Sequence, residues 1–230
     1  EGDGIGREVI PAAVEVLQAI LPDLEIVQAS AGWETFKQCG VSVPEETLAA
    51  VRECGAALFG AVSSPSRKVE GYRSAILTLR QELGLYANIR PVCSLPAVSH
   101  RGDVSLVIVR ENTEGLYAGR ERLEDDTAIA ERVITAVASR RIALRAAEVL
   151  RLDGRRRVTI VHKANILPVT DGLFRDTVRE TLEKTRQPFE DWEIDEMLVD
   201  TAAYQLAAAP QNLDVLVTTN LFGDILSDEA

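Results

Sequence analysis

Apolar and polar positions follow two different periods along this chain, and the changes between them outline the predicted elements. Continuous apolar runs are typical of strands that are buried on both faces of a sheet. Such strands are predicted at residues 24–29, 56–60, 105–109, 158–161 and 215–219, with a shorter run at 197–199. Apolar residues at helical spacing lie between these runs. The alternation predicts an α/β fold with a mixed, largely parallel sheet.

The predicted helices differ in how clearly their ends are marked. One helix follows the glycine-rich opening turn, where Pro11 fits only near the first helical turn. Ser42 and Glu45 have the spacing of a capping box and predict a helix that runs to about Cys54. Further helices are predicted around Arg80, over residues 128–150 and 170–184, and from Asp200 and Gly223 onward. The apolar side of the helix at 128–150 fits either the core or a subunit interface.

The composition limits the classes of function. The 230 residues are 46% hydrophobic, which is enough for the core of one large or two ordinary domains. A net charge of -11 disfavours nucleic acid as a partner. No apolar stretch approaches the roughly 20 residues of a membrane helix, and the N-terminus has no signal-peptide pattern. A cytoplasmic protein with no membrane partner is therefore expected.

Cysteine and histidine are scarce, which limits the metal chemistry. The 3 cysteines are widely spaced and there are 2 histidines, so neither a disulfide framework nor a zinc site is predicted. Any metal would have oxygen ligands, which favours Mg²⁺ or Mn²⁺. Asp224 and Asp228 lie on one face of a predicted helix beside a strand's carboxyl end, where they could hold such an ion. An exposed acidic helix face has the same pattern.

Two loops could receive a ligand. The glycines of the turn Glu1–Gly6 would let a nucleotide approach the backbone, although a simple tight turn has the same pattern. The polar loop 61–68 follows a predicted strand, at the end where α/β sheets place ligands, although a surface loop would look alike.

Several charged residues border apolar segments. Arg80, Arg90 and Arg110 could converge on the carboxylates of a ligand. Alternatively, each could lie on the surface with the aliphatic part of its side chain packed against the protein. Lys163 leaves a predicted buried strand and is a candidate base if it is desolvated. Asp200 could act as the cap of the helix that follows it.

A set of motifs then occurs in a fixed order. They are E-G-D-G-I-G at 1–6, L-R-x-x-L-x-L-Y-A-N-I-R-P at 79–91, V-R-E-N-T-E-G-L-Y at 109–117, H-K-A-N at 162–165 and T-T-N-L-F-G-D-I-L-S-D at 218–228. Together they resemble the β-decarboxylating dehydrogenase family of isocitrate, isopropylmalate and homoisocitrate dehydrogenases, over essentially the whole chain. Residues 64–72, with Ser74 and Ile76, are most similar to the homoisocitrate branch.

The resemblance implies a role for each candidate residue. Tyr117 and Lys163 would be catalytic and would also contact the substrate, a 2-hydroxy tricarboxylic acid. Lys163 and Asp200 would act across the interface of a homodimer or larger homo-oligomer, in the active site of the other subunit. The remaining assignments are substrate binding by Arg80, Arg90, Arg110 and Ser74, cofactor binding by Asn165, Ile5 and Ser63, and metal binding by Asp200, Asp224 and Asp228.

The implied activity is the metal-dependent oxidative decarboxylation of homoisocitrate to 2-oxoadipate, a step of lysine biosynthesis through 2-aminoadipate, with NAD as the hydride acceptor. Isocitrate and 3-isopropylmalate are the alternative substrates. All three share a malate half, so the choice depends on the loop 64–77. There Ile76 cannot hydrogen-bond the shorter carboxylate of isocitrate, whereas the longer arm of homoisocitrate could reach Arg67 or Arg73.

The resemblance also implies a two-domain, isopropylmalate dehydrogenase-like fold. Residues 1–92 would belong to a large nucleotide-binding domain, and residues 93–230 to a small domain that carries the dimer interface and the metal site. The family normally has a strand before the first motif and an adenosine-binding segment after the last. We therefore expect a chain truncated at both ends, and NAD rather than NADP follows only from the homoisocitrate and isopropylmalate branches.

Two other classes of function are weighed against this one. A magnesium-dependent phosphoryl-transfer enzyme could also use Gly223 and Asp224, but no P-loop or D-x-D nucleophile precedes them. A non-catalytic regulatory subunit is disfavoured, because Tyr117, Lys163 and all three aspartates are present.

Overall fold

The computed structural model describes residues 1–67 and 69–230, so Lys68 of the predicted ligand loop lies outside the described residues. Within them the chain forms two compact units, Glu1–Leu85 and Tyr86–Ala230. The division lies before the boundary predicted at residue 92, because the strand β1 (Ala87–Cys93) pairs along its whole length with β2 (Ser105–Glu111).

The first unit is mainly helical. Its helices are α1 (Gly6–Ile20), α2 (Trp33–Cys39), α3 (Glu45–Cys54) and α4 (Ala75–Glu82). The prediction of strands at 24–29 and 56–60 is wrong for the described residues, where both stretches are largely exposed and irregular. A strand needs a neighbour for its N–H and C=O groups, and strand pairing in the described part of this unit is limited to a bridge between Gly2 and Ala61.

Two helix ends in this unit also differ from expectation. The N-cap of α3 is Pro44 and has no side-chain capping bond, so the predicted capping box from Ser42 does not form. Instead Ser42 is buried, and its carbonyl accepts a hydrogen bond from the Gly32 amide at 2.8 Å. Pro11 lies in the second turn of α1 rather than near its first turn, so that helix lacks one internal hydrogen bond.

The second unit is organised around a 5-stranded sheet in the order β1-β2-β7-β5-β6. Its remaining strands are β5 (Arg157–His162), β6 (Glu193–Leu198) and β7 (Val215–Thr218), and a separate hairpin consists of β3 (Glu121–Glu124) and β4 (Thr127–Ala130). β2, β7, β5 and β6 are parallel to one another, and β1 is antiparallel to β2. The predicted α/β class with a mixed, largely parallel sheet is confirmed.

Helices cover both faces of this sheet. On one face, Val107 and Val109 of β2 pack with α5 (Ala136–Leu152) and α6 (Thr170–Thr185). On the other, Leu106 and Ile108 pack with α7 (Val199–Ala208) and α8 (Asn220–Glu229). Strand side chains alternate between faces, which is why a strand apolar at every position separates two cores. Burying one side chain of this size completely stabilises the folded state by roughly 1.5–3 kcal/mol.

Two predicted helix starts in the second unit are corrected. The helix predicted over 128–150 begins at Ala136, where the Thr135 hydroxyl accepts a hydrogen bond from the Ala138 amide, and the preceding residues form β4. The N-cap of α7 is Leu198, so Asp200 lies in the first turn and is not the cap. None of the helices in the described part of the chain is long and apolar enough to span a membrane.

The parallel strands place five of the candidate residues at one edge of the sheet. Parallel strands end on the same side, and ligands of open α/β sheets bind there. The residues at this edge are Arg110 in β2, Lys163 after β5, Asp200 after β6, and Asp224 and Asp228 in α8 after β7. The topology therefore gathers side chains that are far apart in the sequence.

In the first unit, a buried carboxylate fixes the glycine-rich turn. Asp3 accepts hydrogen bonds from the backbone amides of Trp33 at 2.6 Å, Glu34 at 3.0 Å and Ser63 at 3.0 Å. Burial alone would raise the pKa of Asp3, but these donors and the charge of Arg7 together lower that pKa below its usual value. Asp3 thus joins the opening turn, the start of α2 and the loop at Ser63.

Replacing Asp3 by Asn should destabilise the protein at pH 7 by about 1–3 kcal/mol, because charge-assisted hydrogen bonds are lost. The folded pKa of Asp3 is lowered, so its contribution is present above the unfolded value of about 3.9 and is lost as the pH falls through the folded value. Urea unfolding at several pH values should show the difference between the two proteins shrinking below about pH 4. An equal difference at pH 3 and pH 7 would contradict this account.

Candidate active site

Arg110, Tyr117 and Asp224 form a charged cluster at the carboxyl edge of the sheet. The Arg110 guanidinium donates from Nη1 to Asp224 at 2.5 Å and from Nη2 to the Asn220 side-chain oxygen at 2.8 Å. The Tyr117 hydroxyl donates to the other Asp224 oxygen at 2.5 Å. Arg110 is 1% exposed, whereas the Asp224 side chain is 41% exposed. The cluster therefore joins a buried cation to a carboxylate that solvent and ligands can reach.

The local packing explains why α8 meets Arg110 so closely. Leu106, Ile108 and Arg110 share one face of β2, the face that α8 covers. A side-chain carbon at Gly223 would lie 2.5 Å from the Arg110 Cγ atom. Glycine at this position lets the first turns of α8 lie directly on the arginine stem, which holds Asp224 at the guanidinium.

Arg90 lies on the same sheet face as Arg110. Asn88 is paired directly with Arg110 across the two strands, and its side-chain oxygen accepts a hydrogen bond from Arg90 Nε at 2.9 Å. Arg90 is exposed, unlike Arg110. Of the three arginines predicted to bind carboxylates, two thus lie on the same face of the sheet on neighbouring strands. Arg80 lies in the last turn of α4 in the first unit.

Lys163 and Asp200 form a second charged pair. Lys163 Nζ and Asp200 Oδ1 are 2.5 Å apart, and the hydrogen bond from Lys163 lowers the pKa of Asp200. The lysine side chain is 26% exposed and the aspartate side chain 63%. The two residues that the family resemblance assigns to the neighbouring subunit's site therefore bind each other in this chain. Asn165, the predicted nicotinamide contact, is exposed in the turn after Lys163.

The predicted metal ligands are distributed between these groups. Asp228 is exposed one helical turn beyond Asp224 on α8, so the two carboxylates project from one face. Their oxygens are the donor type that a hard divalent cation prefers. Asp200 does not join them, since no three acidic, histidine or cysteine side chains within residues 1–67 and 69–230 are grouped to hold a metal. One chain supplies two carboxylates of the predicted three.

The remaining candidates lie in the first unit. Ile5 is the exposed residue before α1, and Ser63 is held at Asp3 by its backbone amide. Ser74 is the N-cap of α4, but its hydroxyl makes no capping bond. In the predicted specificity loop, Arg67 lines a cavity of about 460 Å³, whereas Arg73 donates to the Gln81 side chain at 2.8 Å.

Three residues with a part in this arrangement were not singled out in the sequence. The Asn220 side-chain oxygen accepts a hydrogen bond from the buried Arg110 guanidinium. Asp171 accepts a hydrogen bond from the Lys163 backbone amide at 2.6 Å. Arg132 binds Asp171 at 2.7 Å. Asn220 lies inside a recognised motif and could have been noticed there. For Arg132 and Asp171 the sequence offers no comparable signal, because each is one of many charged residues near a helix start.

The environment of Tyr117 keeps its hydroxyl protonated. Its hydrogen bond to Asp224 is the main cause that raises the pKa of Tyr117, burial and the Asp224 charge raise it further, and Arg110 opposes them. A tyrosine with a raised pKa remains a proton donor at neutral pH.

Comparison with known proteins identifies the class. All of residues 1–230 match the isocitrate/isopropylmalate dehydrogenase family. The isocitrate/homoisocitrate dehydrogenase of Thermus thermophilus is 53% identical over 230 residues, which cover 100% of this chain and 68% of that protein. The 3-isopropylmalate dehydrogenase of Methanothermobacter thermautotrophicus is 46% identical, with 100% and 67% covered. The crystal structure of isocitrate dehydrogenase from Methylococcus capsulatus superimposes with a TM-score of 0.91 at 42% identity, over 99% of this chain and 67% of that one.

The family match and the fold are those of a β-decarboxylating dehydrogenase, an oxidoreductase. The chain belongs to the isocitrate/isopropylmalate dehydrogenase family, whose members are NAD-dependent and use a divalent metal ion. The resemblance drawn from the motifs and the enzyme class that it implied are confirmed. The relatives carry the names of different substrates, so membership of the family leaves the choice of hydroxy acid open.

Replacing Asp224 by Asn should lower the pKa of Tyr117 toward the ordinary tyrosine value of about 10, because the charged acceptor is lost. The measurement is the tyrosinate absorbance during an alkaline titration, taken as the difference between each protein and its Tyr117→Phe derivative. Asp228→Asn removes the same charge one helical turn away and should change the pKa much less. Equal changes in the two variants would show that general charge, rather than the Asp224 contact, governs Tyr117.

Proposed function

We propose that the protein is a cytoplasmic, homodimeric homoisocitrate dehydrogenase that acts in lysine biosynthesis. It converts homoisocitrate to 2-oxoadipate and carbon dioxide, with NAD as the hydride acceptor and Mg²⁺ or Mn²⁺ as the required ion. Isocitrate and 3-isopropylmalate are the alternative substrates. The observation that carries the proposal is the Arg110–Asp224–Tyr117 cluster, in which a guanidinium, a carboxylate and a tyrosine hydroxyl are in direct contact. These are the groups that would bind a substrate carboxylate, hold the ion and donate a proton.

Each residue of the cluster then has a distinct task. Arg110 would bind a substrate carboxylate through its planar guanidinium. Because its two Nη atoms are engaged by Asp224 and Asn220, it must exchange one of these contacts for the substrate. Lys163 of the partner subunit, which lies outside the cluster, would accept the proton of the 2-hydroxyl group at Nζ. After carbon dioxide has left, the Tyr117 hydroxyl gives a proton to the substrate carbon. At neutral pH the Tyr117 hydroxyl carries the proton that this step needs, because its pKa lies above the ordinary tyrosine value.

The cofactors supply the remaining chemistry. When bound, the divalent ion stabilises negative charge on the substrate oxygens, and NAD accepts the hydride from the hydroxyl-bearing carbon. Asp224 and Asp228 would hold the ion from one subunit. The third carboxylate would be Asp200 of the partner subunit, which must then exchange its contact with Lys163 for the ion. Ile5, Ser63 and Asn165 would contact NAD.

The division of charged groups within one chain supports a shared site. Arg110, Tyr117 and Asp224 form one cluster, while Lys163 and Asp200 form a separate pair. A complete set would require Lys163 and Asp200 from the partner subunit at each cluster. The proposed unit is therefore at least a dimer.

Co-expression of Lys163→Ala and Asp224→Asn subunits should restore activity that neither variant has alone. Half of randomly assembled dimers are mixed, and one of their two sites is intact, so about a quarter of wild-type activity is expected. The measurement is NAD reduction after subunit exchange has been verified by mass spectrometry. As a control, mixing Tyr117→Phe with Asp224→Asn subunits should restore nothing, because both changes affect the same half of the site. Recovery in the control mixture, or its absence in the test mixture, would contradict the shared site.

Substrate choice depends on the loop that contains Arg67. Arg73 is engaged with Gln81 on α4, so Arg67 is the better candidate for the distal carboxylate of homoisocitrate. The 53% identical Thermus relative is named for both isocitrate and homoisocitrate, which keeps both acids as candidates. Ile76, which is half-buried at the start of α4, offers no hydrogen bond to a shorter acid.

Catalytic efficiency should be highest with homoisocitrate, lower with isocitrate and lowest with isopropylmalate. Arg67→Met should reduce the value for homoisocitrate roughly tenfold to a hundredfold, since one charged hydrogen bond contributes about 1.5–3 kcal/mol. Arg73→Met is the matched control and should have a smaller effect. Initial rates of NAD reduction with the three acids provide the test. If catalytic efficiency were highest with isopropylmalate, the assignment of homoisocitrate as the substrate would be wrong. The metal and arginine chemistry common to all three acids would not be affected.

A further inference from the structure

A second arginine–aspartate pair lies buried behind the charged cluster. Asp171, in the first turn of α6, is 0% exposed, and the Arg132 side chain is 11% exposed. Arg132 Nη2 donates to Asp171 Oδ1 at 2.7 Å. Neither residue has a part in the reaction proposed above. Burying two charges carries a desolvation penalty, which the other contacts of this pair must help to offset.

The other oxygen of Asp171 holds the catalytic lysine. Asp171 Oδ2 accepts a hydrogen bond from the Lys163 backbone amide at 2.6 Å. This is the point where the chain leaves β5, and the Lys163 side chain begins from the same residue. The carboxylate therefore determines where the Lys163 backbone lies at the carboxyl edge of the sheet.

Arg132 reaches the helix that carries the metal aspartates. The same Nη2 atom donates to the Thr219 hydroxyl at 2.9 Å, and the guanidinium lies 4.6 Å from the centre of the Phe222 ring. Thr219 is the N-cap of α8, yet its side chain makes no capping bond to that helix. Its hydroxyl is used instead to accept from Arg132. The arginine thus contacts α8 at its start and again in its first turn.

The backbone beside Arg132 is joined to the segment that carries Tyr117. Val133 and Gly115 form an antiparallel bridge, in which the Gly115 amide donates to the Val133 carbonyl at 2.8 Å. Gly115 immediately precedes the short 3-10 helix Leu116–Ala118. The Arg132–Asp171 ion pair therefore contacts, or lies next to, the segments that carry Tyr117, Lys163 and Asp224.

We propose that Arg132 and Asp171 are positioning residues for the reaction assigned above, on which this inference rests. They contact no reacting atom in the proposed chemistry. Their task is to fix the Lys163 backbone relative to the start of α8. The metal aspartates of one chain and the lysine that the same chain contributes to the partner subunit's site then keep a constant separation. Displacements of about 1 Å in such groups reduce turnover by about 10².

The test is Asp171→Asn in the purified enzyme, because asparagine keeps the shape and one acceptor oxygen but removes the charge. We expect kcat to fall roughly 10- to 100-fold. KM should change little, since the substrate-binding arginines are untouched. Hydrogen–deuterium exchange at the Lys163 amide should become faster, because its charged acceptor is lost. The exchange measurement does not depend on activity.

Asp214→Asn is the matched control. Asp214 also accepts from an arginine, Arg155 Nη1 at 2.7 Å, and from the backbone amides of Arg156 at 2.9 Å and Arg157 at 3.0 Å. It lies at the amino ends of β5 and β7, opposite the charged edge. This variant should lower thermal stability while leaving kcat and the exchange of Lys163 unchanged.

A second pair of variants avoids the risk that Asp171→Asn does not fold. Thr219→Val removes the hydroxyl that Arg132 binds, and Thr219→Ser keeps it. The valine variant should lose kcat, and the serine variant should retain it.

Equal effects of Asp171→Asn and Asp214→Asn on kcat, or equal effects of the two Thr219 variants, would reduce the pair to a structural role and overturn the proposal. Unchanged exchange at Lys163 in Asp171→Asn would overturn it as well. If the wild-type enzyme oxidises none of the three acids, the proposed function fails. The exchange comparison then still decides whether Asp171 orders Lys163.

Discussion

The buried guanidinium of Arg110 is the constraint on which the second unit depends. A charge that is almost fully withdrawn from water must meet an opposite charge and fill its remaining hydrogen bonds. Asp224 provides the charge and Asn220 a second acceptor, and both belong to the first turns of α8. The position of α8 on β2, the glycine that permits it and the hydrogen bond of Tyr117 to Asp224 all follow from satisfying this one cation.

The parts of the fold that the sequence predicted are those whose apolar runs find neighbours in the sheet. β2, β5 and β7 lie within or close to their predicted ranges, because each is apolar on both faces and buried between helices. The apolar runs at 24–29 and 56–60 carry the same signal but gain no paired neighbour among the described residues. An apolar run indicates that a segment tends to be buried, but it does not show whether another strand lies beside it to form hydrogen bonds.

The start of α5 shows a different limit. Ile129 and Val133 have helical spacing with the residues that follow, so the helix was placed too early. Asp125, with a positive φ of 51°, turns the chain back between β3 and β4, and this local conformation overrides the spacing. Thr135 then caps the true helix.

In the candidate site, residue types could be predicted but their partners could not. The motifs named Lys163, Tyr117 and Asp224 as chemical groups, and the family resemblance added Asp200. Which carboxylate meets which cation depends on the order of strands in the sheet, because Lys163 and Asp200 are brought together by adjacent β5 and β6. The contacts of Arg132 with Asp171 and Thr219 likewise join residues that are distant in sequence.

The central place of β7 has a consequence for the order in which this unit can form during synthesis. β7 is the last of the described strands along the chain, yet it lies between β2 and β5 and hydrogen-bonds to both. Until the ribosome has released residues 215–218, the β1–β2 hairpin and the β5–β6 pair have no strand to connect them, and the inner edges of both stay unpaired. Such edges are the surfaces on which nascent chains associate wrongly. The charged edge and its cluster can therefore assemble only after β7 and α8 have been translated, and until then the two inner edges stay open to wrong association.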